Sequence, residues 1–366
     1  MNKNRKRVLV INVLPLVNNG ISELIMNLFK NSNKIDFEIV TNETCEDKYK
    51  KFFGANYNLR VLPSRKKKLI GYFLQLISII RKNQYDIIHI HGNSSSMLLE
   101  VVSSKIGSYK SKIVVHTHNT SIHYNLFNFF LKRLFNKSFN LAIACGEKAG
   151  KELYTRPFEI IKNGIDLEKF HFDGFKRSNF REKLNIKTDY YVIGHIGNIN
   201  KQKNHLFILK IFNELLKCNI TKPLLLFLVG RDESDGQIIK KIHEMGLEDK
   251  VFLYENVSDI NKFYSSFDVF ILPSLFEGFP LVSVEAQASG LPCIFSDKID
   301  SGVLLTSTTK LLPLNEKMWV SEITSLLNDY DVGREKTSNS NCLILEEKGF
   351  SIKQSAIKVS DLYSLL

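Results

Sequence analysis

Short apolar runs that read as strands recur along the chain with helix-length segments between most of them, and this alternation is what most limits its architecture. In the first half the runs fall at Arg7–Val13, Asp36–Thr41, Asn58–Leu62, Ile87–Ile90, Ile113–His116 and Leu141–Ala144. Parallel neighbours need a crossover long enough to hold a helix, so the alternation predicts an α/β fold with a parallel sheet covered on both faces. A second series starts with a helix over Asn179–Leu184 and a strand over Tyr190–Ile196, then strands at Leu224–Gly230, Val251–Tyr254 and Val269–Leu272. At 366 residues and 44% hydrophobic the chain can bury two cores, whereas one domain of this size would be unusually large. The turn signal Asn163-Gly164-Ile165-Asp166 lies between the two series. The expected division is residues 1–168, residues 169–349, and a closing segment 350–366 that carries an amphipathic helix over Ile352–Leu365.

Charge separates the two halves. The net charge is +12, and residues 1–168 hold 26 Lys and Arg against 13 Asp and Glu, while residues 169–366 hold 24 against 25. A basic first domain points to an anionic partner, either acidic lipid or a phosphorylated acceptor. Nucleic acid is not expected, because no zinc-finger spacing or RNP-type aromatic motif accompanies the charge. Two basic segments border apolar surface: Arg65-Lys66-Lys67-Lys68 before Leu69–Ile80, and Tyr124–Phe139 with Lys132, Arg133 and Lys137. For Leu69–Ile80 the apolar face is expected to be core; for Tyr124–Phe139 core and anionic membrane surface stay equally open. No run of 18 apolar residues occurs, and the basic start passes directly into a strand, which reads as a cytoplasmic protein, peripheral at most to the membrane. The five cysteines are scattered without metal-type spacing and are expected to be reduced packing residues. Gly146–Lys151 lacks the spacing of a phosphate-binding P-loop, and no dinucleotide fingerprint appears, so a dehydrogenase is not expected.

One stretch carries chemistry. The strand Val269–Leu272 runs into Pro273-Ser274, a loop with Glu277-Gly278-Phe279-Pro280, and a helix over Leu281–Ser289 that Gly290 stops. The first turn of such a helix offers amide donors and the positive end of its dipole, and Gly278 lets an anion such as a diphosphate approach the backbone. Glu277 and Glu285, eight positions apart, are acceptor-only carboxylates suited to sugar and ribose hydroxyls.

This Glu277, Gly278-Phe279-Pro280 and Glu285 pattern resembles the retaining glycosyltransferases of family 4, which have the GT-B fold of two Rossmann-like doubly wound domains facing a central cleft. The resemblance implies that Glu277 contacts the donor sugar, that Gly278, Phe279, Pro280, Leu281 and Val282 meet the diphosphate and ribose region, and that Glu285 holds the ribose hydroxyls. Val114-Val115-His116-Thr117-His118-Asn119 is similar to a strand-end motif of the family and implies that His118 lies by the donor sugar and reaction centre. His89, His116 and His123 are expected to be structural, as is His91, the likeliest of them to edge an acceptor site. Gly20 keeps the donor loop near the first helix, although Asn19 and Ser22 replace the family's Gly and Glu. Lys203 matches one of two cations that the family aims at the donor phosphates; Asn198 stands where the other, an Arg, belongs, and removes a permanent charge. Asn256 and Val257 fall where main-chain groups read the nucleobase, and the last helix is expected to pack on the first domain.

The implied activity is metal-independent transfer, with anomeric configuration kept, from a nucleotide sugar, UDP-linked by expectation, to a glycan hydroxyl. The acceptor would be linked to polyprenyl diphosphate, as in capsule or exopolysaccharide assembly. Asn198, Asn19 and Ser22 keep open a non-catalytic partner subunit of the same fold; a nucleotide-sugar epimerase, which would consume donor without an acceptor, is a second alternative.

Overall fold

A computed structural model describes residues 5–17, 20–32, 35–118, 126–257, 259–329 and 333–366. The readings placed on Asn19, Asn119, His123 and Tyr124 lie outside these residues. The chain divides into two units, Met1–Gly164 with Gly349–Leu366, and Ile165–Lys348.

In the first unit the described strands are β1 (Lys6–Asn12), β2 (Ile35–Asn42), β3 (Asn58–Leu62), β4 (Ile87–Gly92), β5 (Lys112–Thr117), β6 (Leu141–Ala144) and β7 (Glu159–Ile160). They form one parallel sheet in the order β3-β2-β1-β4-β5-β6-β7. Val10 of β1 stands beside Ile39 of β2 on one side and His89 of β4 on the other, so the strand order reverses at β1. Because side chains alternate along a strand, Val8 and Val10 enter one core, and Leu9 and Ile11 enter another on the opposite face. The helix Ile352–Ser364 adds Ile352, Ala356, Val359 and Tyr363 to the first of these cores, at the spacing that puts them on one helical face.

The second unit repeats the plan with β8 (Tyr191–Ile196), β9 (Leu224–Val229), β10 (Val251–Tyr254), β11 (Val269–Leu272), β12 (Cys293–Ser296) and β13 (Thr309–Leu312), in the order β10-β9-β8-β11-β12-β13. The helix that precedes β8 spans Gly174–Lys183, starting earlier than the apolar pattern indicates, because the Asp173 carboxylate accepts from the Phe175 and Lys176 amides and caps it. Just ahead of β11, buried Asp268 accepts from Arg177 at 2.5 Å, Arg181 at 2.6 Å and the Val192 amide at 2.7 Å, which ties that helix to the sheet. Gly290 ends the helix Leu281–Ala288 at a φ of 65°, the left-handed conformation that suits glycine. All five cysteines are free thiols.

A row of buried histidines crosses the core of the first unit: His89 and His91 on β4, His116 on β5, and His118 just beyond it. Tyr363 Oη lies 2.5 Å from His89 Nδ1, His91 Nδ1 lies 2.8 Å from His118 Nε2, and His118 Nδ1 lies 3.0 Å from Asn163 Oδ1. Burial disfavours the imidazolium in all four, pushing His89 down to about 3 and His118 down to about 4. An imidazole that stays neutral in the fold but titrates near 6.5 when unfolded contributes its full stability above that pH and loses it as the pH falls. By pH 5 the loss is about 2 kcal/mol for each such histidine. The melting temperature is therefore expected to drop between pH 7.5 and pH 5, and the drop should shrink in His116→Asn. A melting temperature flat over that interval in the unmodified chain would mean that these rings are not held neutral.

Candidate functional site

The strand order of the second unit reverses between β8 and β11, and the loops leaving their carboxyl ends are where an open α/β sheet collects ligands. One loop leads from Gly197 into the helix His205–Leu215; the other leads from Pro273 into the helix Leu281–Ala288. Backbone and amide groups join them: Leu275 N donates to Gln202 O at 2.8 Å, Gln202 Nε2 to Phe276 O at 2.9 Å, and Asn204 Nδ2 to Pro273 O at 3.2 Å.

Across this seam Lys203 Nζ lies 2.6 Å from Glu277 Oε1, and Ser274 Oγ donates to the same oxygen at 2.6 Å. The two charged side chains are only 14% and 10% exposed, so the pair is held largely out of water. Lys203 reaches this position by lying over Gly197, where an added Cβ would come within 2.9 Å of Lys203 Cε. Below it, fully buried His195 has Nδ1 2.9 Å from Ile271 O. Burial, followed by the nearby His205, keeps the His195 pKa well below its usual value, so this ring adds no positive charge beside the lysine.

Glu285 lies in the second turn of the helix Leu281–Ala288, and the Tyr264 hydroxyl donates to its Oε2 at 2.7 Å. Pro280 is the N-cap of that helix and has no N–H, so the amides of this stretch are those of Gly278, Phe279, Leu281 and Val282. Asn256 has a φ of 53° and is exposed in the turn after β10, with Val257 half-buried beside it. Lys203, Glu277, the Gly278–Val282 backbone and Glu285 are thus all carried by the second unit, whereas Gly20, at the start of the helix Gly20–Lys30, and His118 belong to the first.

Asn198 donates from Nδ2 to Glu233 Oε1 at 2.7 Å, and Asn200 donates to Glu233 Oε2 at 2.9 Å. Where a guanidinium would add positive charge, two amides clasp a carboxylate. Sequence reasoning missed Glu233, Ser274, His195 and Tyr264. Ser274, three residues before Glu277 in one loop, had a local signal, whereas the other three meet the site only through sheet order and packing.

Among the described residues, one group could hold a metal ion: His89, His91 and His116, with ligand nitrogens within 4.8 Å of one another. His89 Nδ1 and His91 Nδ1 already meet Tyr363 and His118. His116 has no well-formed partner at either nitrogen, only a looser contact with the Ile161 backbone.

No described helix is long and apolar enough to cross a membrane. In the helix Leu69–Asn83, Tyr72, Leu76, Ile77 and Ile80 are core as expected, but the core reading does not extend to Leu69, Ile70 and Leu74, which are 50%, 75% and 59% exposed beside exposed Lys66, Lys67 and Lys68. In the second basic segment Phe135 and Phe139 are buried and Leu134 is 57% exposed.

Residues 176–336 match the family model described as glycosyl transferases group 1, and residues 19–169 match that described as Glycosyltransferase Family 4. The chain is 30% identical over 335 residues to the putative glycosyltransferase EpsF of Bacillus subtilis (strain 168), covering 85% of each. It is 28% identical over 311 residues to the UDP-Gal:alpha-D-GlcNAc-diphosphoundecaprenol alpha-1,3-galactosyltransferase of Escherichia coli, covering 79% of this chain and 78% of that protein. Among solved structures, Anabaena HepE in complex with UDP matches with a TM-score of 0.78 at 18% identity, over 98% of this chain and 100% of that one, a likeness of fold. With both sheets doubly wound and a relative matched along most of its length, the chain belongs to the family 4 glycosyltransferases: it is a sugar-transferring enzyme of the GT-B fold.

Proposed function

We propose that this enzyme takes a sugar from a nucleotide-sugar donor, UDP-linked, and transfers it with anomeric configuration kept and without a metal to a hydroxyl of a glycan carried on polyprenyl diphosphate. The process served is capsule or exopolysaccharide assembly. The observation that carries this reading is the 2.6 Å pair of Lys203 and Glu277 at the switch point of the second sheet. As the glycosidic bond to the leaving diphosphate breaks, a further negative charge grows on phosphate while the sugar becomes oxocarbenium-like. Lys203, weakly screened by water, attracts that growing charge, and the amides of Gly278, Phe279, Leu281 and Val282 with the helix dipole add to it. Glu277 turns its carboxylate to the sugar hydroxyls. Glu285 takes the ribose, and Asn256 and Val257 take the base. The departing phosphate oxygen accepts the proton of the attacking hydroxyl, so no covalent sugar–enzyme bond forms.

The E. coli relative, named for a UDP-sugar and a diphosphoundecaprenol-linked acceptor, supports the choice of substrates. Exposed Leu69, Ile70 and Leu74 beside Lys66–Lys68 support contact with an anionic membrane, where such an acceptor resides. The second reading, a non-catalytic partner of the same fold, draws on Asn198, which stands where the resembled family has an Arg and here donates to Glu233. Release of nucleoside diphosphate, even slow, separates an enzyme from such a partner.

Lys203→Ala and Glu277→Ala are each expected to lower kcat/KM at least about a hundredfold, while EDTA changes little. Near-normal turnover in both variants would refute the assignment, and loss of turnover in EDTA restored by a divalent ion would refute metal independence. In flotation with vesicles containing anionic lipid the protein is expected to rise with the lipid, and Ile70→Glu to weaken this. Failure of the unmodified protein to float removes the membrane contact.

A further inference from the structure

The helix Ile260–Ser266 carries nothing that its sequence marks for chemistry, yet its Tyr264 is fully buried and directs its hydroxyl to Glu285 Oε2 at 2.7 Å. Val282 O is the next acceptor, at 3.4 Å, a distance at which the single phenolic proton gains little, so the carboxylate is its partner. The ring is fixed from several sides, with Phe170, Phe267 and Phe270 centroids 5.7, 6.2 and 5.7 Å away. The Tyr264 backbone carbonyl accepts from Arg334 Nη2 at 2.6 Å, and the same buried guanidinium donates to Phe267 O and to Ser289 O. Arg334 thereby fastens the end of the Tyr264 helix to the end of the helix that carries Glu285.

A phenylalanine would fill this aromatic pocket as well as a tyrosine, without the cost of burying a hydroxyl. What tyrosine adds is a donor aimed at one carboxylate oxygen. Burial, then the charge of Glu285, raises the Tyr264 pKa well above its usual value, so the group remains a donor at any working pH. Holding the Glu285 carboxylate in place before the ligand arrives removes an ordering cost from binding. Asn256 and Val257 stand a few residues before this short helix in the chain.

We propose that Tyr264 is a positioning residue: its hydroxyl fixes the Glu285 carboxylate in the orientation that accepts the ribose hydroxyls of the donor nucleotide, so that preference for ribose over deoxyribose depends on it. This rests on Glu285 being the ribose acceptor. The experiment measures binding of UDP and of its 2′-deoxy and 3′-deoxy analogues by calorimetry, with the guanosine series run in parallel. It compares the unmodified protein, Tyr264→Phe and Glu285→Ala. Tyr264→Phe keeps the ring and the Arg334 bond; it is expected to weaken the ribonucleotide about three- to tenfold while the deoxy analogues change less than about twofold, so that the preference contracts. In turnover the donor KM should rise with kcat nearly constant. A purely packing role would weaken all nucleotides alike and leave the preference intact, which overturns the proposal. If Glu285→Ala abolishes the preference but Tyr264→Phe retains it, the ribose role of Glu285 stands and the positioning role falls. If Glu285→Ala leaves the preference unchanged, or the unmodified protein shows none, the reading of Glu285 fails and the proposal with it.

Discussion

A lysine and a glutamate 2.6 Å apart, both mostly removed from water, set the conditions for the rest of the second unit. Two ions taken out of solvent recover their lost hydration only if geometry is tight and further hydrogen bonds are supplied. The surroundings meet that demand: Ser274 adds a donor to the carboxylate, Gly197 leaves room for the lysine stem, and His195 beneath it is neutral. Each comes from a different place, two from the end of β8 and its exit and one from the exit of β11. The pair therefore exists only if those two strands lie side by side and end at one level. The parallel register of Val269 with Ile193 and Phe270 with Gly194 provides this.

The same geometry explains why a doubly wound sheet was assembled twice in one chain. In each unit a central strand has its sequence neighbours on one side and later strands on the other, which opens a gap between diverging loops. The second unit fills the gap with the ion pair. The first places polar residues near the corresponding strand ends, with buried His91 and Asn12 directly paired across β4 and β1.

Most of this architecture was legible in the residues. Strands as apolar as Val192–Ile196 or Leu224–Val229 announce themselves, because a strand covered on both faces has no polar alternation. The pattern failed after Asp297, where β13 is a four-residue edge strand with only Leu312 buried, and at the helix Gly174–Lys183, whose start depends on a cap rather than on hydrophobicity. Lys203 and Glu277 were legible as members of a motif, and the structure shows them touching. Tyr264 and Glu233 were not, because each acts across a distance in sequence that only the order of strands and helices closes. Leu69–Ile80 was half-read: apolar content identified a helix, but not that three of its residues face outward.

The helix Ile352–Ser364 belongs to the core of the first unit, where Tyr363 closes over the histidine row, yet it is synthesised after the whole of the second unit. A nascent chain that has left the ribosome through Gly164 holds all the strands of its first sheet but exposes the apolar surface that this helix later covers. Completion of the first unit thus waits on synthesis of the whole second unit, and termination before or within this helix strands a partly built N-terminal half for chaperones and proteases to find.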